Sequence, residues 1–305
     1  MGKFLLGLAK FLLGNYFSKG IIIGNHIQDR YQVTLEVETL GQYFEFIHHD
    51  ALTGRMAMAG KRPFCLFTFD DGKKINVLEA VPVLEKLGVP AVFYLVTDSV
   101  TSNLPLWFDR RNAIVKDLGM IPEELKPERL KKMPLAQIHA QLDQFAEKYS
   151  VCPDTNDPCV GAMSWDEARM LQKKGFTIGA HTRNHPILTN ESLEEAKGEI
   201  GGSIASVTRE MGHDCVSFAF PNGSYTNDLA RFAASCGVKT VMTTDPIWVG
   251  ASAEPWHLPR IDIYNHYDPQ KILIKVAAAL PGCLLKNPNG TGRAYVKVRW
   301  FHGDR

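Results

Sequence analysis

The chain has 305 residues, of which 45% are apolar and 22% charged, and its formal net charge is +1. That length buries a core in one large α/β domain or two small ones, and the composition is that of a globular protein. No Lys/Arg-rich run appears, which argues against DNA or RNA as a partner.

The first segment, Met1 to Phe17, is apolar through Phe4, Leu5, Leu6, Leu8, Phe11, Leu12 and Leu13, but Lys10 cuts the run. It falls short of the ~20 residues that a bilayer span needs, and no small-x-small cleavage site follows. The expectation is an amphipathic helix packed on the domain, with peripheral contact to a membrane surface as the alternative. A cytoplasmic or membrane-peripheral place is favoured over export. Residues 1–60 as a whole read as an extension packed on a catalytic unit at 61–280.

Pro63 to Phe69 is an apolar, β-prone run that ends in Asp70-Asp71-Gly72. Ile75 to Leu87 follows with helical spacing of Val77, Leu78, Val81, Leu84 and Leu87. Gly88 suits its C-terminal cap, and Pro82 predicts a kink or a late start. Ala91 to Val96 is the next strand. Residues 101–160 then break the rhythm with charged, Pro-containing, helical sequence, read as an insertion covering one side of a barrel mouth. Further strands are expected at Phe176–Ala180, Val216–Phe220, Val238–Thr243 and Leu258–Ile263, with helices at Ser164–Lys174, Leu193–Met211 and Asp228–Cys236. Residues 281–305 read as a tail, in which Ala294 to Trp300 alternates like an edge strand. Strand–helix alternation points to a parallel α/β fold, and a parallel barrel keeps its chemistry at the C-terminal strand ends.

Six cysteines (Cys65, Cys152, Cys159, Cys215, Cys236 and Cys283) contain no C-x-x-C pair and are expected to be mostly buried thiols. Cys152 and Cys159 bracket a polar loop and suit a local disulfide in an oxidising compartment.

Two short motifs carry chemistry. His181-Thr182-Arg183-Asn184-His185 spaces two imidazoles four apart; in a helical turn they would share a face and reach one metal ion. Adjacent carboxylates at Asp70 and Asp71 point in different directions, so one can hold a metal while the other accepts a proton. A helix cap plus a solvated acid is the plainer reading of that pair alone. Two histidines, one carboxylate and an open position form a known catalytic metal pattern.

Thr68-Phe69-Asp70-Asp71-Gly72 resembles the first motif of the polysaccharide deacetylases (carbohydrate esterase family 4), and His181 to His185 resembles their second, His-Ser/Thr-x-x-His. Phe218 to Gly223 is similar to the third in its Phe/Tyr-Pro-x-Gly form, and Asn25-His26 loosely resembles an upstream Tyr-His element. The resemblance implies an irregular (β/α) barrel of about seven parallel strands. It implies that Asp71, His181 and His185 hold one divalent ion, most often zinc, with cobalt or nickel as alternatives. Asp70 would be the general base, and the Asn222 backbone N–H would face the oxyanion. The implied partner is a glycan or glycoconjugate.

Two departures stand out. Ala219 occupies the position where the commoner third motif has an Arg that orients the base; Arg260 is the natural substitute, unless it pairs with Asp262 at the surface. The usual late Leu-x-x-His is not evident, which leaves His26, His266 and His257 as candidate proton donors, with His302 in the tail. Trp107, Tyr225, Trp248 and Trp256 suit either sugar stacking or core packing, and Trp165 reads as structural. The leading function is removal of N-acetyl groups from an N-acetylhexosamine-containing glycan. The same barrel acting on another amide, an imide or an ester is the second reading, and a catalytically silent glycan-binding protein is the third.

Overall fold

Short runs of buried β-branched and aromatic residues make the sheet. The computed structural model describes residues 7, 19–58 and 62–280. Its strands are β1 (Gly20–Asn25), β2 (Glu45–Phe46), β3 (Phe64–Phe69), β4 (Ala91–Leu95), β5 (Thr177–Ala180), β6 (Ser217–Ala219), β7 (Thr240–Met242) and β8 (Ile261–Asp262). Their order is β7-β6-β5-β4-β3-β1-β8, with β2 beside β3, and all these pairings are parallel. Met242 at the end of β7 bridges Leu258 in parallel, and the Leu258 segment runs on into β8, which pairs with β1. One segment therefore touches both edges of the sheet and curls it into the expected (β/α) barrel.

Both faces of a parallel sheet are covered, so its strands read as nearly continuous apolar runs. Alternate residues separate all the same. Ile22, Leu66, Val92, Tyr94, Ala219 and Met242 share one cluster, while Ile21, Ile23, Cys65, Phe67, Phe93 and Val241 join the larger core that contains the helices.

Helices form where the sequence spaces and caps them. Leu193–Met211 opens on a Ser192/Glu195 capping box and stops at left-handed Gly212. The helix around Pro82 has a π turn at Asn76–Ala80 before the α-helix Val81–Leu87. Pro82 has no N–H to offer the Leu78 carbonyl, and Arg30 Nη2 donates to that carbonyl instead at 3.2 Å. The insertion contributes helices at Trp107–Leu118, Pro127–Leu130 and Leu135–Tyr149. They carry a core of their own (Trp107, Ile114, Leu125, Leu130, Ile138 and Leu142), which closes on Ile187 of the barrel.

Three expectations change. Residues 1–60 are not simply an extension, because β1 lies inside the sheet between β3 and β8. Its short glycine-flanked run gives no alternation to read, and those glycines are needed for close approach: a Cβ at Gly20 would strike the Phe64 ring, and one at Gly24 would strike Asp262. Cys152 and Cys159 are free thiols, as are Cys65, Cys215 and Cys236, and only Cys65 and Cys215 of these are buried. The helix Pro269–Ala278 was not anticipated. The N-terminal helix, the edge strand at Ala294 to Trp300, Cys283 and His302 lie outside the described residues. Among the described residues, no helix is long and apolar enough to cross a membrane.

Gly179 on β5 shows how tightly the barrel is filled. A Cβ there would lie 2.5 Å from the Tyr94 ring and 2.9 Å from the Ser217 carbonyl. Gly179→Ala is expected to destabilise the fold by about 1–3 kcal/mol, read as a lower thermal midpoint.

Candidate active site

The chain leaves β3 with Asp70 N–H donating to the Asn25 carbonyl at 2.8 Å, one last rung beside β1. Asp71 and Gly72 then turn left-handed, at φ 70° and 65°. This turn sends two adjacent carboxylates to different partners.

The histidine pair is built by another unusual turn. Thr182 and His185 have φ 66° and 59°, and the segment forms no helix. The expected helical face is thus replaced by a left-handed turn, closed by His185 N–H donating to Thr182 Oγ1 at 3.0 Å. Glu199 clamps it from outside, accepting from the Arg183 and Asn184 N–H groups at 2.9 Å each. The imidazole centroids end 5.1 Å apart. Six described non-glycine residues have positive φ, and four of them (Asp71, Thr182, His185 and Asn222) lie in the three motif turns. Each such position costs about 1–3 kcal/mol, so the strain is concentrated at the site.

Asp71 Oδ1 lies 3.3 Å from His185 Nε2 and 3.6 Å from His181 Nε2. Metal–ligand bonds of about 2.0–2.1 Å in a tetrahedron put neighbouring ligand atoms about 3.3 Å apart. The three residues are buried and offer ligand atoms within 4.8 Å of one another. Asp71 Oδ1 is buried without a hydrogen-bond partner, as a ligand atom awaiting a cation would be. His181 Nδ1 donates to the Ala219 carbonyl at 2.8 Å, which leaves its Nε2 lone pair facing the group. Burial outweighs the nearby Asp70 carboxylate and pulls His181 down to about 4, so its imidazole is neutral at pH 7. Burial alone would raise Asp71, but the adjacent His185 and the fields of His26 and His181 hold that carboxyl far below the usual range.

Asp70 is held differently. Arg260 Nη1 donates to its Oδ1 at 2.6 Å and Nη2 to its Oδ2 at 2.7 Å. The guanidinium is 1% exposed; it also donates to Thr68 Oγ1 at 3.1 Å and the Thr243 carbonyl at 3.0 Å, and it lies over the Tyr94 ring. Arg260 thus clamps Asp70 rather than forming a surface pair with Asp262. Burial would raise the Asp70 carboxyl, but the Arg260 charge and bonds hold it below its ordinary value. Asp70 Oδ2 is 3.8 Å from His181 Nε2, which puts it beside the candidate ligands.

The other expected residues separate. Burial pulls His26 down, but Asp71, Asp70 and Asp262 outweigh it and bring its pKa above the ordinary value, so this imidazole sits in the field of both site carboxylates. His257 instead contacts Tyr225 and lies 3.5 Å from Asp245. His266 is exposed and lies against Tyr264 and Tyr267. Asn222, at φ 53°, occupies the turn after β6, the strand that His181 grips through Ala219. Trp107 and Trp248 are buried, whereas Tyr225 and Trp256 are partly buried against the core. Thr243, Tyr94 and Glu199 were missed; they belong to no motif, and only the fold brings them to the site, whereas Thr68 stands in the first motif without having been given a role.

A curled parallel (β/α) barrel with carboxylates and imidazoles at its C-terminal strand ends has its candidate site where barrels of this class keep their chemistry. The profile of the family described as polysaccharide deacetylase matches residues 58–241, and the chain belongs to that family. No curated protein matches it by sequence. The Streptococcus pyogenes deacetylase PplD, solved with acetate, is similar in fold at 15% identity and a TM-score of 0.60, over 85% of this chain and 98% of that one. IcaB from Ammonifex degensii is similar at 15% and 0.59, over 85% and 97%. A de-N-acetylase from Aggregatibacter actinomycetemcomitans is similar at 15% and 0.56, over 83% and 98%.

Arg260→Met would strand a buried carboxylate, at a cost of about 3–5 kcal/mol. The lowered Asp70 carboxyl contributes stability that is present above its unfolded pKa and lost as pH falls through its folded value. Without Arg260, burial raises that carboxyl instead, so the variant's stability deficit should narrow as pH falls, as denaturant unfolding across the acid range will read.

Proposed function

We propose that this chain hydrolyses the N-acetyl amide of an N-acetylhexosamine in a glycan, using one divalent ion held by Asp71, His181 and His185. The observation that carries this reading is the convergence of those three ligand atoms beside an Asp70 locked in its ionised form by Arg260. The mixed imidazole and carboxylate donor set suits zinc best, with cobalt or nickel as alternatives.

When bound, such an ion polarises the acetyl carbonyl and acidifies water. Asp70 takes the proton of the attacking water as its oxygen bonds to the carbonyl carbon. Arg260 keeps that base charged and aimed. The Asn222 backbone N–H, at the turn after β6, donates to the developing oxyanion. As the carbon–nitrogen bond breaks, His26 gives a proton to the departing nitrogen, and acetate and a free amine leave. His26 is preferred because it lies in the field of Asp70 and Asp71, whereas His257 lies against Tyr225 and Asp245 and His266 is exposed.

The test is acetate release from N-acetylated oligosaccharides, with metal content measured in parallel. Asp71→Ala and His181→Ala are expected to lose both metal and turnover. Asp70→Asn should retain the metal and slow turnover by about 10²–10⁴-fold; wild-type rates in that variant would overturn its assignment as base. Release of another acid, from a non-sugar amide, imide or ester, would move the substrate assignment.

His26→Gln should keep the metal and lower kcat by a similar factor. An imidazole acid is protonated below its pKa and loses its proton as pH rises through it, so the alkaline fall of wild-type kcat should disappear in this variant. Persistence of that limb in a pH–rate profile would assign the acid elsewhere.

A further inference from the structure

The two histidines of the pair are held by different means. His181 is oriented through its ring, by the Nδ1 bond to the Ala219 carbonyl. His185 Nδ1 is buried and has no hydrogen-bond partner, so its imidazole lacks the Nδ1 anchor that His181 has. Besides the Thr182 bond to its N–H and the His181 and Asp71 neighbours of its ring, two contacts come from the helical insertion. Trp107 Nε1 donates to the His185 carbonyl at 3.2 Å, on a residue that sits at φ 59° against the preference of L side chains. Phe108 lays its ring edge-on to the His185 imidazole, with centroids 5.2 Å apart.

The same helix is anchored to the first motif. Asp109 accepts from the Leu106 N–H at 3.0 Å and from Lys73 Nζ. Lys73 is 1% exposed and donates as well to the Val160 carbonyl at 2.9 Å. Its backbone bridges Ala162, just beyond the far end of the insertion. Three consecutive residues, Trp107, Phe108 and Asp109, therefore tie the insertion to His185 and to the loop that carries Asp71.

We propose that the insertion is scaffolding for the metal centre: Trp107, acting through the His185 carbonyl, and Phe108, acting on the ring, are positioning residues that set the aim of the His185 imidazole. This rests on the metal-site reading above and extends it to residues outside every motif.

The experiment measures zinc affinity by chelator competition, and the visible spectrum of the cobalt-loaded protein, for wild type, Trp107→Phe and His181→Ala. Trp107→Phe keeps an aromatic ring and removes the indole donor. It should weaken zinc by about 10–100-fold, as loss of a group that orients a ligand does, shift the cobalt bands, and regain most of its kcat at saturating zinc. A purely structural role would lower thermal stability and leave both metal readouts unchanged; that result overturns the proposal. If Trp107→Phe does not fold, Phe108→Leu takes its place, and wild-type zinc affinity in that variant overturns it equally. Failure of the wild-type protein to bind zinc, cobalt or nickel would instead sink the metal-site reading itself.

Discussion

Two neighbouring carboxylates must stay ionised while buried in the mouth of an apolar barrel, and most of the site follows from that constraint. Burial pushes both acids toward neutrality. Asp70 is kept charged by a bidentate guanidinium, and Asp71 by the imidazoles around it. One chain direction cannot serve both partners, so the backbone turns left-handed at Asp71 and Gly72. The histidines need a comparable turn to meet Asp71, and Thr182 and His185 adopt it at a cost that packing and hydrogen bonds elsewhere must offset.

Most of the barrel could be read from the sequence because buried parallel strands are short apolar runs, each ending in a polar or ionisable residue. Asp70, Asp71, His181 and His185 all stand just past such runs, and the structure brings them together. The mode of convergence was not legible. A spacing of four suggests a helical turn, whereas β-branched Thr182 in the left-handed region is an outlier that no residue pattern announces. β1 escaped notice as a strand because its run is bounded by glycines whose purpose is contact with β3 and β8, and those contacts exist only in the fold. Arg260 was found through a gap, as Ala219 stands where the commoner third motif has an Arg and Arg260 on a later strand is its natural substitute.

The insertion marks a different limit. Its helices were legible, yet its reading as cover for the barrel mouth missed the direct contacts of Trp107 and Phe108 with His185. Tertiary hydrogen bonds to a backbone carbonyl leave no trace in composition or periodicity. The same holds for the buried hydroxyl chain inside the barrel. There Tyr94 OH meets Ser217 Oγ at 2.7 Å, Ser217 meets Thr240 at 2.8 Å, and Thr240 meets His49 at 2.7 Å. Every member of that chain finds a partner on another element, which offsets part of the cost of burying it.

The placement of Arg260 links Asp70 to the closure of the barrel. Arg260 lies between Leu258, which bridges β7, and β8, which pairs with β1. The segment that joins the two sheet edges is therefore also the one that delivers the counter-ion of Asp70. An Arg on β6, two residues before the Pro221 turn, would act from an interior strand whose place does not depend on closure. Here, loosening the seam would pull the guanidinium from Asp70 and leave a buried carboxylate to gain a proton or expand the site. The Asp70 counter-ion and the seam of the barrel thus depend on the same short segment.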